Sequence, residues 1–141
     1  MNATESARLG AYLSKLFGSP TMSVQVSGGD EAEVLVSGDA VADIVKDEED
    51  GELSYAISLA VPRAPGLKKG APLDEDERKR LESVLRQRLH AAGLEVRPRP
   101  RKTDSAEVYV GEEFIGTLSA DEDAGYYLTM IVLGFDLDDE D

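Results

Sequence analysis

The sequence predicts an α+β protein of two tandem α-β-β-β-β repeats related by pseudo-twofold symmetry, with a mainly antiparallel sheet and helices on one face. Three observations predict it. First, the chain repeats itself. Residues 33–59 align with 107–133 at an offset of 74, with identities at Glu33/Glu107, Val34/Val108, Val36/Val110, Asp47/Asp121, Glu48/Glu122, Gly51/Gly125, Ile57/Ile131 and Leu59/Leu133. Upstream the match continues at an offset of 72 through Arg8/Arg80, Leu9/Leu81, Leu13/Leu85 and Val24/Val96. A period of this length marks a duplicated structural unit. Second, each copy opens with apolar residues at helical spacing and continues with short runs of strand character. Third, a proline- and glycine-rich stretch separates the copies.

In the first copy Leu9, Tyr12, Leu13, Leu16 and Phe17 form one apolar stripe at i, i+3, i+4, i+7 and i+8. Asn2 or Thr4 can cap the start, and Gly18 with Pro20 stops the helix. In the second copy Leu81, Val84, Leu85 and Leu89 repeat the stripe. Asp74 is the expected N-cap with Glu77 completing a capping box, and Gly93 is the expected close. Acidic residues 74–77 suit the positive end of the helix dipole, and Arg86, Arg88 and His90 suit the negative end.

Four strands follow each helix. In the first copy they are expected at 22–27, 32–37, 40–45 and 53–61, and in the second at 94–99, 106–111, 114–119 and 126–135. Tight hairpins fall at Ser37-Gly38-Asp39 and Gly111-Glu112-Glu113. Acidic turns follow at 47–51 and 121–125, each ending in glycine, which tolerates the positive φ of a turn.

The expected organisation is a first repeat over 1–61, a linker over 62–72, a second repeat over 73–135, and an acidic, frayed tail over 136–141. The chain has 141 residues, so each half alone would bury too little surface to be robust, and the halves should share a core. There are no cysteines, which removes disulfides, thiol nucleophiles and thiolate metal sites and suits a reducing cytoplasm. No apolar run is long enough to span a membrane, and the N-terminus lacks the pattern of a signal peptide.

The net charge of −14 is unevenly spread. Residues 103–141 carry twelve acidic side chains and no Lys or Arg, whereas 71–102 carry nine basic and six acidic ones. Such a chain repels phosphate backbones, so nucleic acid is disfavoured as a partner, and a basic protein or plain solubility is the natural use of the charge.

The fourth strands differ between the copies. In the first, Leu53, Tyr55, Ile57 and Leu59 alternate with more polar or smaller residues, as expected of one buried and one wet face. In the second, the constant offset assigns Tyr127, Thr129, Ile131 and Leu133 to the inner face. The other face, Tyr126, Leu128, Met130 and Val132, is then also apolar and needs cover from the opposite copy or from another chain.

The segment from Arg97 to Leu118, followed by Asp121-Glu122-Asp123, resembles a family of short uncharacterised alphaproteobacterial proteins. Ala11–Gly18 and Asp47–Tyr55 carry other parts of the same pattern, so the chain is similar to a tandem duplication of that unit. The first copy lacks the basic stretch, at Gln25–Asp30. The resemblance implies no catalytic residues.

Arg97, Arg99, Arg101 and Lys102 are the most concentrated basic feature. On a strand the three arginines would point one way and form a comb suited to anions. Pairing with the chain's own acids is the competing reading, and Pro98 and Pro100 suit an edge strand. The acidic turns lack the ligand spacing of a calcium loop. Glu33 and Glu107 are lone strand carboxylates, and His90 has no evident catalytic partner. No phosphate loop, dinucleotide fingerprint or nucleophile elbow occurs.

No catalytic, cofactor or metal site is therefore expected. The sequence points to a non-enzymatic, cytoplasmic protein-interaction module, adaptor or chaperone-like, that binds a protein or itself. Small acidic α+β chaperones of secreted proteins share its size and charge, an analogy at the level of fold only. The expected contact surface is Tyr126, Leu128, Met130 and Val132, with the acidic turns. The alternative is anion or nucleic-acid binding through Arg97, Arg99, Arg101 and Lys102.

Overall fold

A computed structural model describes residues 1–49, 51–64, 66, 73–121 and 125–138. Asp50, most of the 62–72 linker, residues 122–124 of the second acidic turn and 139–141 of the tail lie outside the described residues. The first copy comprises α1 (Ala3–Phe17), β1 (Met22–Gly28), β2 (Glu31–Val36), β3 (Asp39–Glu49) and β4 (Glu52–Val61). The second comprises α2 (Glu75–Leu89), β5 (Leu94–Arg99), β6 (Lys102–Val110), β7 (Glu113–Asp121) and β8 (Gly125–Leu133), and a short α3 (Gly134–Asp138) follows.

All eight strands join one antiparallel sheet in the order β1-β2-β3-β4-β8-β7-β6-β5. The order is a palindrome: each copy forms a four-stranded meander, and the two meet along β4 and β8. Ser58 stands opposite Thr129 at the middle of that seam. The copies also share a bulge at the same place, between Val34 and Leu35 in one and between Val108 and Tyr109 in the other.

Local chemistry sets the helices. Asn2 caps α1: its side chain accepts the Glu5 N–H at 2.8 Å, and the Glu5 carboxylate accepts the Asn2 N–H at 3.1 Å. Gly18 ends α1 at φ 66, the left-handed conformation that glycine adopts freely. Asp74 caps α2 by accepting the Glu77 N–H at 2.9 Å. The second box is not completed, because the Glu77 side chain turns inward instead. The end of α2 also differs from expectation. His90, not Gly93, takes the left-handed cap at φ 51, and its Nδ1 lies 3.4 Å from Thr21 Oγ1 at the start of the other copy's sheet.

Both helices cover the same face of the sheet. Leu9, Leu13 and Phe17 of α1 and Leu81, Leu85 and Leu89 of α2 are buried against strand residues of both copies in one core. The halves meet there: Leu13, Phe17, Ile57, Leu89 and Met130 line the same internal cavity of ≈ 20 Å³.

Three expectations need correction. The first acidic segment is largely strand, since β3 runs to Glu49 and Glu49 pairs with Glu52. The tail is helical over Gly134–Asp138, with Leu137 buried. The third correction reverses β8. Tyr126, Leu128, Met130 and Val132 are buried beneath the helices, while Tyr127, Thr129, Ile131 and Leu133 face solvent.

The cause of the reversal is a shortened hairpin. Asp47 pairs with Ser54 across the first acidic turn, but its counterpart Asp121 pairs with Gly125. The second turn has lost three residues, so beyond it the copies correspond at an offset of 71. Tyr55 matches Tyr126, Ile57 matches Leu128, Leu59 matches Met130, and Val61 matches Val132. An odd slip moves a strand's side chains to the opposite face. The identities Ile57/Ile131 and Leu59/Leu133 are therefore not structural equivalences.

Candidate functional site

The offsets of 72 in the helices and 71 in the last strands bring one polar cluster together twice. In the first copy the Tyr55 hydroxyl donates to Glu5 Oε2 at 2.8 Å, and Lys46 Nζ of β3 reaches the same oxygen at 2.7 Å. In the second, the Tyr126 hydroxyl donates to Glu77 Oε2 at 3.1 Å. Its cation comes from the helix itself: Arg80 Nη2 donates to Glu77 Oε2 at 3.0 Å, and Arg80 Nε donates to Oε1. Arg8 is the counterpart of Arg80, and Ala120 stands where Lys46 would be.

The electrostatics follow from these partners. The Lys46 ammonium, with the Tyr55 hydroxyl and the Asn2 amide, holds the Glu5 carboxyl down at about 2. Arg80 foremost, then the Ala64 amide and Tyr126, hold Glu77 below its ordinary value. Burial first, and the adjoining carboxylate second, push Tyr55 and Tyr126 each up to about 12. Around neutral pH both clusters thus contain an ionised carboxylate and a neutral phenol.

Each cluster is approached by the segment that leaves the other copy's side of the seam. After β4 the chain passes over the second cluster, where Ala64 N–H points to Glu77 Oε2 at 3.4 Å and Arg80 Nη2 donates to the Pro62 carbonyl at 2.8 Å. Only glycine permits this approach at residue 125, where a Cβ would lie 2.6 Å from the Val61 carbonyl oxygen and 2.7 Å from the Arg63 nitrogen. After β8 the chain forms α3, which packs on β4 and α1 beside the first cluster. There it leaves a cleft of ≈ 530 Å³ lined by Glu5, Arg8, Leu53, Tyr55, Leu133 and Phe135 among others. The difference shows in the carboxylates: the Glu77 side chain is 4% exposed and the Glu5 side chain 20%.

Among the described residues no helix covers the sheet's other face. Val45, Ala56 and Ile131 lie side by side across β3, β4 and β8, with Ile131 55% exposed. Leu133 follows Ile131 on the same face of β8, Tyr127 lies beyond Thr129, and both are also exposed. The adjoining row runs Glu33, Asp43, Ser58, Thr129, Thr117 and Glu107 across six strands, hydroxyl groups at its centre giving way to carboxylates at both ends. The expected contact residues Tyr126, Leu128, Met130 and Val132 are core residues and cannot form this surface. Their neighbours Tyr127, Ile131 and Leu133 do, and the signal for them was the same two-sided apolarity of the strand.

The basic stretch does not form a comb. Arg97 Nη2 donates to Glu95 Oε2 at 2.7 Å, and its guanidinium lies 4.1 Å from the Tyr109 ring centroid. Arg99 Nη1 donates to Ser105 Oγ at 3.1 Å. Arg101 occupies the two-residue turn between Arg99 and Lys102 at φ 64, which takes it out of the strand alternation. The Lys102 side chain lies outside the described residues. Arg97 thus pairs with Glu95 of its own strand, and Glu112 of the hairpin between β6 and β7 adds to the negative field around it.

Neither sequence reasoning nor the motif patterns singled out the two Glu–Tyr clusters. Their signal was present as Glu5/Glu77 and Tyr55/Tyr126, separated by different offsets. Among the described residues no three carboxylate or imidazole groups converge as a shell for a cation. No helix among the described residues is long and apolar enough to cross a membrane.

Comparison with known proteins agrees with the duplication. The model of a family described as protein of unknown function, DUF3126, matches residues 5–64 and again 77–136. The two matches begin on Glu5 and Glu77, the equivalent glutamates of the clusters. Neither the curated proteins nor the solved structures contain a match to the chain. The double match and the palindromic sheet have one explanation: the chain belongs to the DUF3126 family and carries two copies of its unit in tandem.

Proposed function

We propose that this chain is a non-enzymatic, cytoplasmic protein-interaction module, adaptor or chaperone-like in character, that docks a basic protein partner on the open face of its sheet. The observation that carries the reading is the exposed apolar centre of that face, Val45, Tyr127, Ile131 and Leu133, beside a row ending in Glu33, Asp43 and Glu107. Apolar side chains grouped at the middle of a sheet, with carboxylates at the margins, match the anatomy of an interface: a desolvated centre and a charged rim. The net charge of −14 favours a partner rich in Lys and Arg and speeds its approach. The Glu–Tyr clusters support the non-enzymatic part. Their groups are displaced away from neutrality, opposite to what general acid–base catalysis requires.

The test is co-purification from the native host with the wild-type chain and with Ile131→Asp, far-ultraviolet circular dichroism confirming the fold of both. The variant is expected to lose the wild-type partner, and added salt to weaken the wild-type complex. An unchanged partner profile with folded Ile131→Asp refutes the reading.

A further inference from the structure

The two edges of the sheet are equivalent strands, but they end differently. Among the described residues β1 and β5 close the strand order. Their pairings match: Met22–Val36, Val24–Val34 and Val26–Ala32 in one copy, Leu94–Val110, Val96–Val108 and Pro98–Ala106 in the other. On β5 the outward backbone groups are taken by α2. Arg86 Nε donates to the Leu94 carbonyl at 2.7 Å, and the Val96 N–H donates to Glu82 Oε1 at 3.0 Å. Pro98 then has no N–H to offer, and Glu95, Arg97 and Arg99 add charge. Proline and charge are the usual means of keeping another strand off an edge.

β1 has none of these devices. Gly10 and Ser14 stand where Glu82 and Arg86 stand. Glycine has no side chain, and the Ser14 hydroxyl donates to the Ser19 carbonyl at 2.6 Å. Val26 replaces Pro98 and brings an N–H. The strand reads Met-Ser-Val-Gln-Val-Ser-Gly, without charge or proline. The outward groups of Met22, Val24 and Val26 therefore lack the side-chain partners that α2 gives β5. Gly10 lets α1 rest on the strand, where a Cβ would lie 3.2 Å from the Val24 nitrogen. Beside that contact runs a groove of ≈ 230 Å³, with Ala7, Ala11 and Ser14 on its helix side and Met22, Ser23 and Val24 on its strand side. Every residue of α1, β1 and β2 is among those described.

We propose that the β1 edge accepts an extended segment of a partner protein as an added antiparallel strand. The Met22 carbonyl, the Val24 N–H and carbonyl, and the Val26 N–H supply the ladder, and main-chain bonds of this kind carry strand addition. Alternate residues of the segment pass beside α1 and are small, to match Ala7, Ala11 and Ser14. The others lie on the open side next to Ser23, Gln25 and Ser27. There Glu33, paired with Gln25, and the net charge of −14 favour Lys or Arg. A second copy of the chain does not fit. Two paired β1 strands would stand about 4.8 Å apart, and two α1 helices, each seated on its own β1, would meet well inside the ~8–10 Å that packed helices need. This edge is three strands away from β4, so the inference is independent of the apolar patch around Ile131.

The probe is an acetylated and amidated peptide, Lys-Thr-Ala-Thr-Ala-Thr-Lys, with alanines for the helix side and threonines for the open side. It is titrated to millimolar concentration into ¹⁵N-labelled full-length protein. Saturable shifts are expected at the amides of Ala11, Ser23, Val24, Gln25 and Val26, with slower solvent exchange at Val24 and Val26. Ala11→Arg sets a long side chain in the groove, and Val26→Pro copies the blocked edge of β5. Each should weaken binding about fivefold or more, with circular dichroism confirming the fold. A peptide N-methylated at both alanines should not bind, because those N–H groups face β1; N-methylation of the central threonine should be tolerated. Absence of shifts along β1, equal binding of the alanine-methylated peptide, or undiminished binding by both folded variants overturns the proposal. So does concentration-dependent self-association of the free protein with shifts along β1, which would assign the edge to a second copy. Ile131→Asp should bind the peptide normally whatever happens to co-purification, which separates the two sites.

Discussion

Ser58 and Thr129 face each other across the seam between β4 and β8, and each occupies the same place in its own copy. A pair of equivalent residues opposite one another marks a twofold axis, so the dyad passes between these two side chains. Everything on the core side of the axis is paired off: Tyr55 with Tyr126, Ile57 with Leu128, Leu59 with Met130, and Val61 with Val132. On the far side Ala56 corresponds to Tyr127 and Ala60 to Ile131, so the larger open-face apolar groups belong to the second copy.

Removing either phenol tests the clusters. Tyr126→Phe should destabilise the fold by about 1–2 kcal/mol, because it takes a donor from the deeply buried Glu77. Tyr55→Phe should cost less, about 1 kcal/mol, because Glu5 is partly wet and keeps Lys46. Urea unfolding followed by circular dichroism orders the two; equal losses would show that burial of the carboxylate does not set the cost.

The pH dependence has a definite sign at each end. Glu5 has a folded pKa lowered from 4.5 to about 2, so its stabilisation is complete above 4.5 and is lost as pH falls from 4.5 towards 2. Lys46→Met should raise the Glu5 pKa and move this loss to higher pH, read by titrating the side-chain carboxyl ¹³C shift. Tyr55 and Tyr126 have folded values raised from 10.0 to about 12. Their contribution is complete below 10 and is lost as pH rises from 10 towards 12, read from phenolate absorbance against unfolding.

Ser19→Ala should stabilise the protein by about 1 kcal/mol. The Ser19 hydroxyl is buried without a hydrogen-bond partner, and such a group forfeits its hydration. The equivalent position is Ala91, equally buried, which shows that the site accepts a methyl group. A lower midpoint of urea unfolding for the variant would contradict this.

Gly116→Ala should destabilise by about 1–3 kcal/mol. An added Cβ would collide with the Thr129 carbonyl oxygen and lie 3.0 Å from Met130 Cβ, both on the neighbouring β8. The equivalent Ala42 is tolerated in the first copy, so Ala42→Gly should leave the sheet intact. Thermal unfolding of both variants checks the asymmetry.

The helices and the strand count were legible because their signals are local: a 3.6-residue stripe ending at Gly18, and apolar runs punctuated by glycine. The face of β8 was not. Alternation identifies the buried side only when the other side is polar, and Tyr126–Leu133 is apolar on both except at Thr129. The coincidental identities at Ile131 and Leu133 then fixed the wrong register. The Glu–Tyr clusters were hidden for a related reason, since their members lie about fifty residues apart and Glu77 fits a capping box equally well on sequence. The arginine comb failed at the turn, where Arg101 leaves the strand geometry that the argument assumed.

Joining the two meanders in one polypeptide changes what holds the sheet together. Two separate meanders sharing the β4–β8 ladder would dissociate on dilution, and a mutation in one would appear in both. A tether makes their encounter unimolecular and independent of protein concentration. It also frees the halves to drift apart in chemistry. One carboxylate now draws its counter-charge from Arg80 on its own helix, while the other relies on Lys46 from a strand, an asymmetry that two identical subunits could not encode.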